Sequence, residues 1–396
     1  MHFLTIDVGS YIHYDMLEAL KNLGHSYKNI VYSFVASTPS RNEQQYKNKY
    51  HNEEIESILE KELKNTDFDA VISTNFYPVI GMTCKKYNVK YLAWSYDTPL
   101  NLDTEEGFDL ENVYVFMFDR EETTRYNKKG YSNFYHLPLA ANCKRLNQYP
   151  VKPEYSHEIS LMGNLYHSML PELSSIMSDY QKGYLKGIFS SQFPLYGLYI
   201  ADRVIDDKLV SEINTHYKTL NKNAIQISTA QLNFAFAMEI AHVERITLLR
   251  LLSQRRDVHL YTYEVTDSEK ELLKKVTIHP PIAYGIDMPS LFKSSKINLN
   301  PSLRIIRSAI PLRALDIMGS GGFLFSNYQT ELAEFFLDGK EVVMYESIED
   351  AVSKAEFYLK HDDLRQKIAA NGHEKIIKHF QFEDRILTMI KIANIH

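Results

Sequence analysis

KINLNPSLRIIRSAIPLRALDIMGSGGFLF, residues 296–325, reads as strand, loop, helix, tight turn and strand. Lys296 to Asn300 is a short apolar run ending in amides, and the loop after it carries Arg304 and Arg307. Pro311 suits a helix start, because its φ is fixed and it has no N–H to leave unpaired. Pro311, Ala314, Leu315 and Met318 recur at i, i+3, i+4 and i+7, which makes one face apolar and leaves Arg313 and Asp316 on the other. Gly319-Ser320-Gly321-Gly322 stops the helix and turns the chain into Phe323-Leu324-Phe325.

Charge singles out the same stretch. No acidic residue lies between Asp287 and Asp316, yet Lys293, Lys296, Arg304, Arg307 and Arg313 all do. In a chain of net charge −6 this is a local positive field beside a helix N-terminus. Free N–H groups and the helix dipole there favour an anion, typically a phosphate. The plainer reading is a solvated basic loop with an Arg313–Asp316 surface pair, worth about 0.2–0.5 kcal/mol.

The 396 residues suit two domains of roughly 150 residues or more each. Apolar runs at 3–8, 30–35, 70–74, 89–94, 113–118 and 134–137 read as six strands, with helical patterns such as Ile55, Ile58, Leu59 and Leu63 between them. That alternation predicts a doubly wound parallel sheet over residues 1–150. Asn147 to Pro153 has two prolines and no periodicity, and reads as a linker. A second α/β domain follows over 156–375, with strands expected at 158–162, 258–263, 276–278, 296–300, 323–325 and 341–344. Between Leu170 and about Arg256 only helical spacing recurs, which predicts a helical insertion after that domain's first strand.

The negative net charge disfavours general nucleic-acid binding. Two cysteines, Cys84 and Cys143, make no disulfide framework or metal cage and point to a reducing compartment. The opening MHFLTIDVGSYIHYD lacks the build of a signal peptide, and no run approaches the roughly 18 apolar residues of a membrane span. A cytoplasmic location without a transmembrane segment is expected; the oligomeric state stays open. Asp67-Phe68-Asp69 has the form of a metal motif, but it precedes a strand and reads as a polar strand entry.

Several segments carry a family resemblance. INLN, IPLRALDIMGSGGF, NYQTEL and DGKEVVMYESIED in the second half, and TNFYPVI, KYLAWSYDTPL, FMFDREE and FYHLPLAAN in the first, resemble the CgeB-like bacterial glycosyltransferases, relatives of the GT-B glycosyltransferases. The resemblance implies a GT-B-like fold: two Rossmann-type domains facing a cleft, with the final helix, 376–396, returning to the N-terminal, acceptor-side domain. It implies sugar transfer from a nucleotide-sugar, a UDP-sugar favoured, to a surface polysaccharide, protein or other glycan. Two alternatives stand beside it: a GT-B-type epimerase or hydrolase, and a non-catalytic nucleotide-sugar-binding protein that kept the fold.

Breaking the bond from the anomeric carbon to the phosphate leaves negative charge on the diphosphate, which a metal or fixed positive groups can hold. The sequence offers arginines and a helix start but no metal-ligand cluster, so a metal-independent reaction without a cofactor is expected. Arg304, Arg307 and Arg313 are candidates for the diphosphate. Asp316 sits where related GT-B families place a ribose-binding glutamate, the second of a pair, and Ser308 occupies the place of the first, usually given to the donor sugar. Donor sugar and stereochemistry are thus left open. Gly163 and Asn164 end the second domain's first strand, where a glycine either admits a ligand or simply turns the chain. Arg245, Asn298, Asn300, Gly321 and Gly322 complete the donor-side candidates. Tyr284 reads either as a base-stacking ring or as a loop aromatic. On the first domain, Asp97 lies among Trp94, Tyr96 and Pro99, a setting that raises a carboxyl toward a useful base; the plainer reading is a structural cap. His13, after the first strand, is the second catalytic candidate.

Overall fold

The structure, a computed structural model, describes residues 1–35, 47–100, 102–224 and 226–396. It divides into two units, one of residues 1–142 with 377–396 and the other of residues 143–376. No helix among the described residues is long and apolar enough to cross a membrane.

The first unit is a six-stranded parallel sheet: β1 (His2–Asp7), β2 (Ser26–Val31), β3 (Ala70–Thr74), β4 (Lys90–Ser95), β5 (Val113–Met117) and β6 (Phe134–His136), in spatial order β2-β1-β3-β4-β5-β6. Its helices are α1 (His13–Asn22), α2 (Glu53–Asn65), α3 (Pro78–Lys86) and α4 (Arg120–Lys128). All five residues of β3 are buried, as a central strand covered on both faces requires. β2 departs from expectation. The apolar run 30–35 suggests a strand there, but the strand is Ser26–Val31, on the sheet edge with none of its residues buried. Tyr32 and Phe34 are buried just after it as core side chains from a loop.

The second unit opens with the short α5 (Cys143–Leu146) and builds another parallel sheet, β7 (Ile159–Met162), β8 (Val258–Tyr261), β9 (Thr277–His279), β10 (Ile297–Asn300), β11 (Leu324–Asn327) and β12 (Val343–Tyr345), in order β12-β11-β10-β7-β8-β9. Between β7 and β8 come α6 (Leu170–Ser175), α7 (Asp179–Gln192), α8 (Ala201–Val204), α9 (Asp207–Leu220) and α10 (Thr229–Leu252). A capping box of Ser228 and Gln231 starts α10, whose 24 residues serve two cores. Leu232, Phe236 and Ile240 pack among the inserted helices, and Ile246, Leu248, Leu249 and Leu252 pack under the sheet. Leu303 and Ile305, from the loop after β10, join the inserted core. The insertion therefore anchors the loop that carries Arg304 and Arg307.

The remaining helices are α11 (Asp267–Leu272), α12 (Met288–Ser294), α13 (Leu312–Gly319), α14 (Thr330–Phe335), α15 (Ile348–Lys360), α16 (Asp362–His379) and α17 (Phe382–Ile392). α17 belongs to the first unit: Phe382 meets Trp94 edge-on at 5.6 Å, and Lys90 Nζ donates to the carbonyls of Ala393 and Asn394 at 2.7 and 2.8 Å.

Candidate functional site

In each sheet the strand order reverses once, between β1 and β3 and between β7 and β10. Ligands of doubly wound sheets bind outside the carboxyl ends of the strands at such a reversal.

In the second unit, Gly163 and Asn164 leave β7 and Pro301 leaves β10 at that point. Arg245, only 1% exposed, ties the two exits together: its Nη1 donates to the Asn164 carbonyl and its Nη2 to the Pro301 carbonyl, the latter at 2.6 Å. The guanidinium lies 4.2 Å from the ring centroid of Tyr166. Arg245 reaches this place because α10 passes from one core to the other at Glu244 and Arg245. Burial lowers its pKa; the Tyr166 ring opposes that, and the charge of Arg313 adds to it. Arg313, the second residue of α13, extends back across Gly163, where a Cβ would come within 2.6 Å of its Nη1. Gly163 also has φ of 149°, a conformation other residues avoid. Thus the Arg313 guanidinium packs directly against this glycine.

The hydrogen bonds of Arg245 run to main-chain carbonyls, and Arg313 makes no hydrogen bond or ion pair with a described residue. Two neighbouring guanidiniums, neither hydrogen-bonded to a carboxylate among the described residues, stand beside the uncapped and acid-free N-terminus of α13, the kind of place that favours an anion.

The other cations of this stretch are engaged. Arg304 donates from Nε and Nη2 to Glu244 Oε2 at 3.1 and 2.9 Å, lies 3.8 Å from the Tyr196 ring centroid and is 5% exposed. Tyr345 donates to the second oxygen of Glu244 at 3.2 Å. Arg307 pairs with Asp202 at 2.6 Å. Lys293 donates to the carbonyls of Leu146 and Tyr149, and Lys296 lies 4.0 Å from Asp362.

Asp316 is buried, and the Tyr284 hydroxyl donates to its two oxygens at 3.2 and 3.1 Å. Asn298 and Asn300 are buried and work inside the sheet. Asn298 accepts from Ser160 and donates to the Phe292 carbonyl, while Asn300 donates to Ser302 and Ser326. Gly321, at φ of 80°, forms the left-handed end of α13, its N–H bonding the Met318 carbonyl while that of Gly322 bonds Ile317. A Cβ on Gly322 would lie 2.5 Å from the Phe292 carbonyl oxygen, so this position requires glycine for close packing. Two carboxylates escaped sequence reading. Glu244 is the partner of Arg304, and fully buried Glu331, of α14, accepts from Ser308 Oγ at 2.6 Å. Each lies more than twenty residues from its partner, with no spacing signal to join them.

In the first unit the reversal is lined by different groups. Asp7 Oδ1 accepts from the N–H of Gly9 at 2.9 Å, and its charge raises the pKa of the Tyr14 phenol. Burial pushes the Tyr96 phenol up to about 12, opposed by a hydrogen bond with Ser10. Asn75, at φ of 64°, organises the end of β4: its Oδ1 accepts from the Ser95 hydroxyl and from the N–H groups of Tyr96 and Asp97. Its Nδ2 donates to Asp97 Oδ2 at 2.7 Å. Asp97 keeps contact with solvent, yet the surrounding protein desolvates its carboxyl and raises its pKa, against the pull of Asn75 and Lys49. His13 is enclosed on α1 with Nε2 2.9 Å from Asn29 Oδ1. Burial lowers its pKa, and its Nδ1 has no hydrogen-bond partner among the described residues.

Residues 245–391 match the family model described as "Glycosyl transferase-like". No curated protein matches the chain. Among solved structures, a glycosyltransferase from Rickettsia africae superimposes with a TM-score of 0.58 at 13% identity, covering 99% of this chain and 97% of its own. The Anabaena HepE protein in complex with UDP and glucose gives 0.57 at 8% identity, covering 100% and 99%. A sucrose-phosphate synthase from Thermosynechococcus elongatus gives 0.54 at 12%, covering 100% and 98%. The chain has the two-sheet α/β fold of these GT-B structures, and its residues 245–391 are similar to the glycosyl transferase-like family.

Proposed function

We propose that this chain transfers a sugar from a nucleotide-sugar, of the uridine diphosphate class, to a glycan or protein acceptor, with no metal ion in the transfer step. The observation that carries the reading is the Arg245–Arg313 pair at the β7–β10 reversal. When the bond from the anomeric carbon to the phosphate oxygen breaks, the electron pair leaves with the nucleoside diphosphate. Fixed guanidiniums and the N–H groups of α13 meet that charge without reorganising. Asp316 and Tyr284 are the groups we assign to the ribose and base. Asp97, held by Asn75 and raised by desolvation, is assigned to take the proton of the acceptor hydroxyl. Arg304, Arg307, Asn298, Asn300, Gly321 and Gly322 shape the donor side from beneath, and His13 supports the β1 exit. The motif resemblance supports a CgeB-like bacterial enzyme, and the buried free thiols Cys84 and Cys143 suit the cytoplasm, where nucleotide-sugars are made.

The test is thermal stability against UDP, GDP, ADP and their sugars, with and without EDTA, since binding to the folded state raises the melting temperature by mass action. A shift confined to one nucleotide class, of the same size with EDTA and abolished in Arg313→Ala, supports the reading. No shift with any nucleotide overturns it.

A further inference from the structure

Three histidines far apart in sequence converge on one side of the second sheet. His157 stands on the approach to β7, His259 lies in β8 and His279 ends β9. One ring nitrogen from each lies within 4.8 Å of the others, the one such group among the described residues. His157 stacks on His259 with centroids 3.5 Å apart, and His279 stacks on Tyr261 at 4.3 Å. His259 Nδ1 and His279 Nε2 face each other at 2.8 Å. The other nitrogen of His259, Nε2, is 2.9 Å from Asp257 Oδ1. A carboxylate accepts, so the His259 proton sits on Nε2 and Nδ1 turns its lone pair toward His279. An imidazole fixed in this way by a carboxylate is the arrangement that prepares histidine for a metal.

We propose that His157, His259 and His279 form a three-imidazole site for a divalent first-row transition ion of the zinc, cobalt or nickel type, with Asp257 positioning His259. Nitrogen ligands fit these ions, and hard oxygen-seeking ions such as magnesium do not suit such a site. Metal–nitrogen bonds of about 2.0–2.1 Å place tetrahedral ligands about 3.4 Å apart, so the stacked rings, 13° from parallel, must turn out of the stack for their in-plane lone pairs to converge on one ion, with His157 Nε2 either leaving its 2.8 Å contact with the Tyr261 hydroxyl or binding through Nδ1. His279 releases its Nε2 lone pair by carrying its proton on Nδ1. The role follows from the sheet. β9 is a three-residue edge strand with Thr277 and Ile278 exposed, and an ion held by all three rings ties β9 and β8 to the start of β7. Gly163 and Arg313 belong to the opposite end of β7, so this ion stands apart from the diphosphate site.

The experiment uses the full chain stripped with chelator, freed of it, and titrated with Co2+ and then Zn2+. One equivalent of Co2+ is expected to give visible ligand-field absorption that Zn2+ abolishes, with a rise in melting temperature. Asp257→Asn is expected to weaken binding about 10–100-fold. His279→Gln, at the partly exposed end of the edge strand, is expected to remove the signal while keeping the cooperative unfolding and melting temperature of the metal-free parent chain. If His157→Ala or His259→Ala fails to fold, His279→Gln and Asp257→Asn decide alone. Absence of saturable one-equivalent binding, or unchanged affinity in His279→Gln, overturns the proposal. Failure of the glycosyltransferase reading would leave metal binding untouched, and the reverse also holds.

Discussion

Where β1 parts from β3, the first unit sets Asp7, Asn75 and Asp97; where β7 parts from β10, the second sets Arg245 and Arg313. The two sheets share strand number, parallel pairing and one reversal of order, yet their exits carry opposite charge. The difference shows that one architecture can present two chemistries, and the proposed function gives each a task. A backbone amide and side-chain amides hold carboxylates, one of them raised in pKa, which suits accepting a proton. Main-chain carbonyls and a tyrosine face hold the Arg245 guanidinium beside that of Arg313, which suits accepting a departing phosphate.

The sharpest way to break this comparison is Asp97→Asn, which keeps the shape and the neighbours of Asn75 but cannot take a proton. Turnover is expected to fall by about 10²–10⁴, the usual worth of a positioned base. The nucleotide-induced thermal shift, which belongs to the second unit, is expected to stay. Turnover within a few-fold of the parent chain would remove the first unit's exit from the chemistry.

Arg304→Ala tests the claim that some arginines of the basic stretch are structural. Its partner Glu244 is fully buried, and losing the cation leaves that carboxylate uncompensated. Denaturant unfolding is expected to show a loss of about 3–5 kcal/mol. Near-unchanged stability would mean that Glu244 finds other donors and that Arg304 is free to serve a ligand.

Arg313→Ala sharpens the same comparison from the other side. Turnover is expected to drop by about 10²–10³, as when one preorganised donor to a developing charge is removed. Stability should change little, because Arg313 makes no ion pair with a described residue. Arg307→Ala should keep the nucleotide shift that Arg313→Ala loses. Equal losses in both would dissolve the distinction between paired and unpaired arginines.

That distinction marks the limit of what could be read along the chain. Central strands such as β3 were legible because burial on both faces favours small and β-branched residues, here Ala70-Val71-Ile72-Ser73-Thr74. β2 was not, because an edge strand needs no such run, and the nearby apolar residues Tyr32 and Phe34 fill the core from a loop. The basic stretch was visible as composition, but its neutralisation was not. Glu244 and Asp202 come from the inserted helices, 60 and 105 residues earlier than Arg304 and Arg307. Only packing decides which cations keep a carboxylate. Arg245 turns its hydrogen bonds to the carbonyls at the strand exits, and Arg313 lies against Gly163 with no hydrogen bond or ion pair to a described residue. The histidine trio was hidden for the same reason, its members lying 102 and 20 residues apart in sequence and on neighbouring strands in space.

The smallest expected effect concerns Asn75. Glycine tolerates φ of 64° as well as asparagine does, so Asn75→Gly deletes the side-chain hydrogen bonds without straining the turn. Asp97 acts as a base only when deprotonated, so turnover falls as pH drops through its pKa. Desolvation has raised that pKa, which moves the acid limb upward from the ordinary aspartate position. The Asn75 amide works against this rise, favouring the charged form. Removing it must therefore move the limb to still higher pH, while the plateau at alkaline pH falls only through the looser 95–97 loop. A pH–rate profile of kcat/KM with saturating donor reads both quantities. A limb that stays in place, or moves toward lower pH, would mean that the titrating group is not the carboxylate Asn75 holds, and the assignment of proton transfer to Asp97 would fail with it.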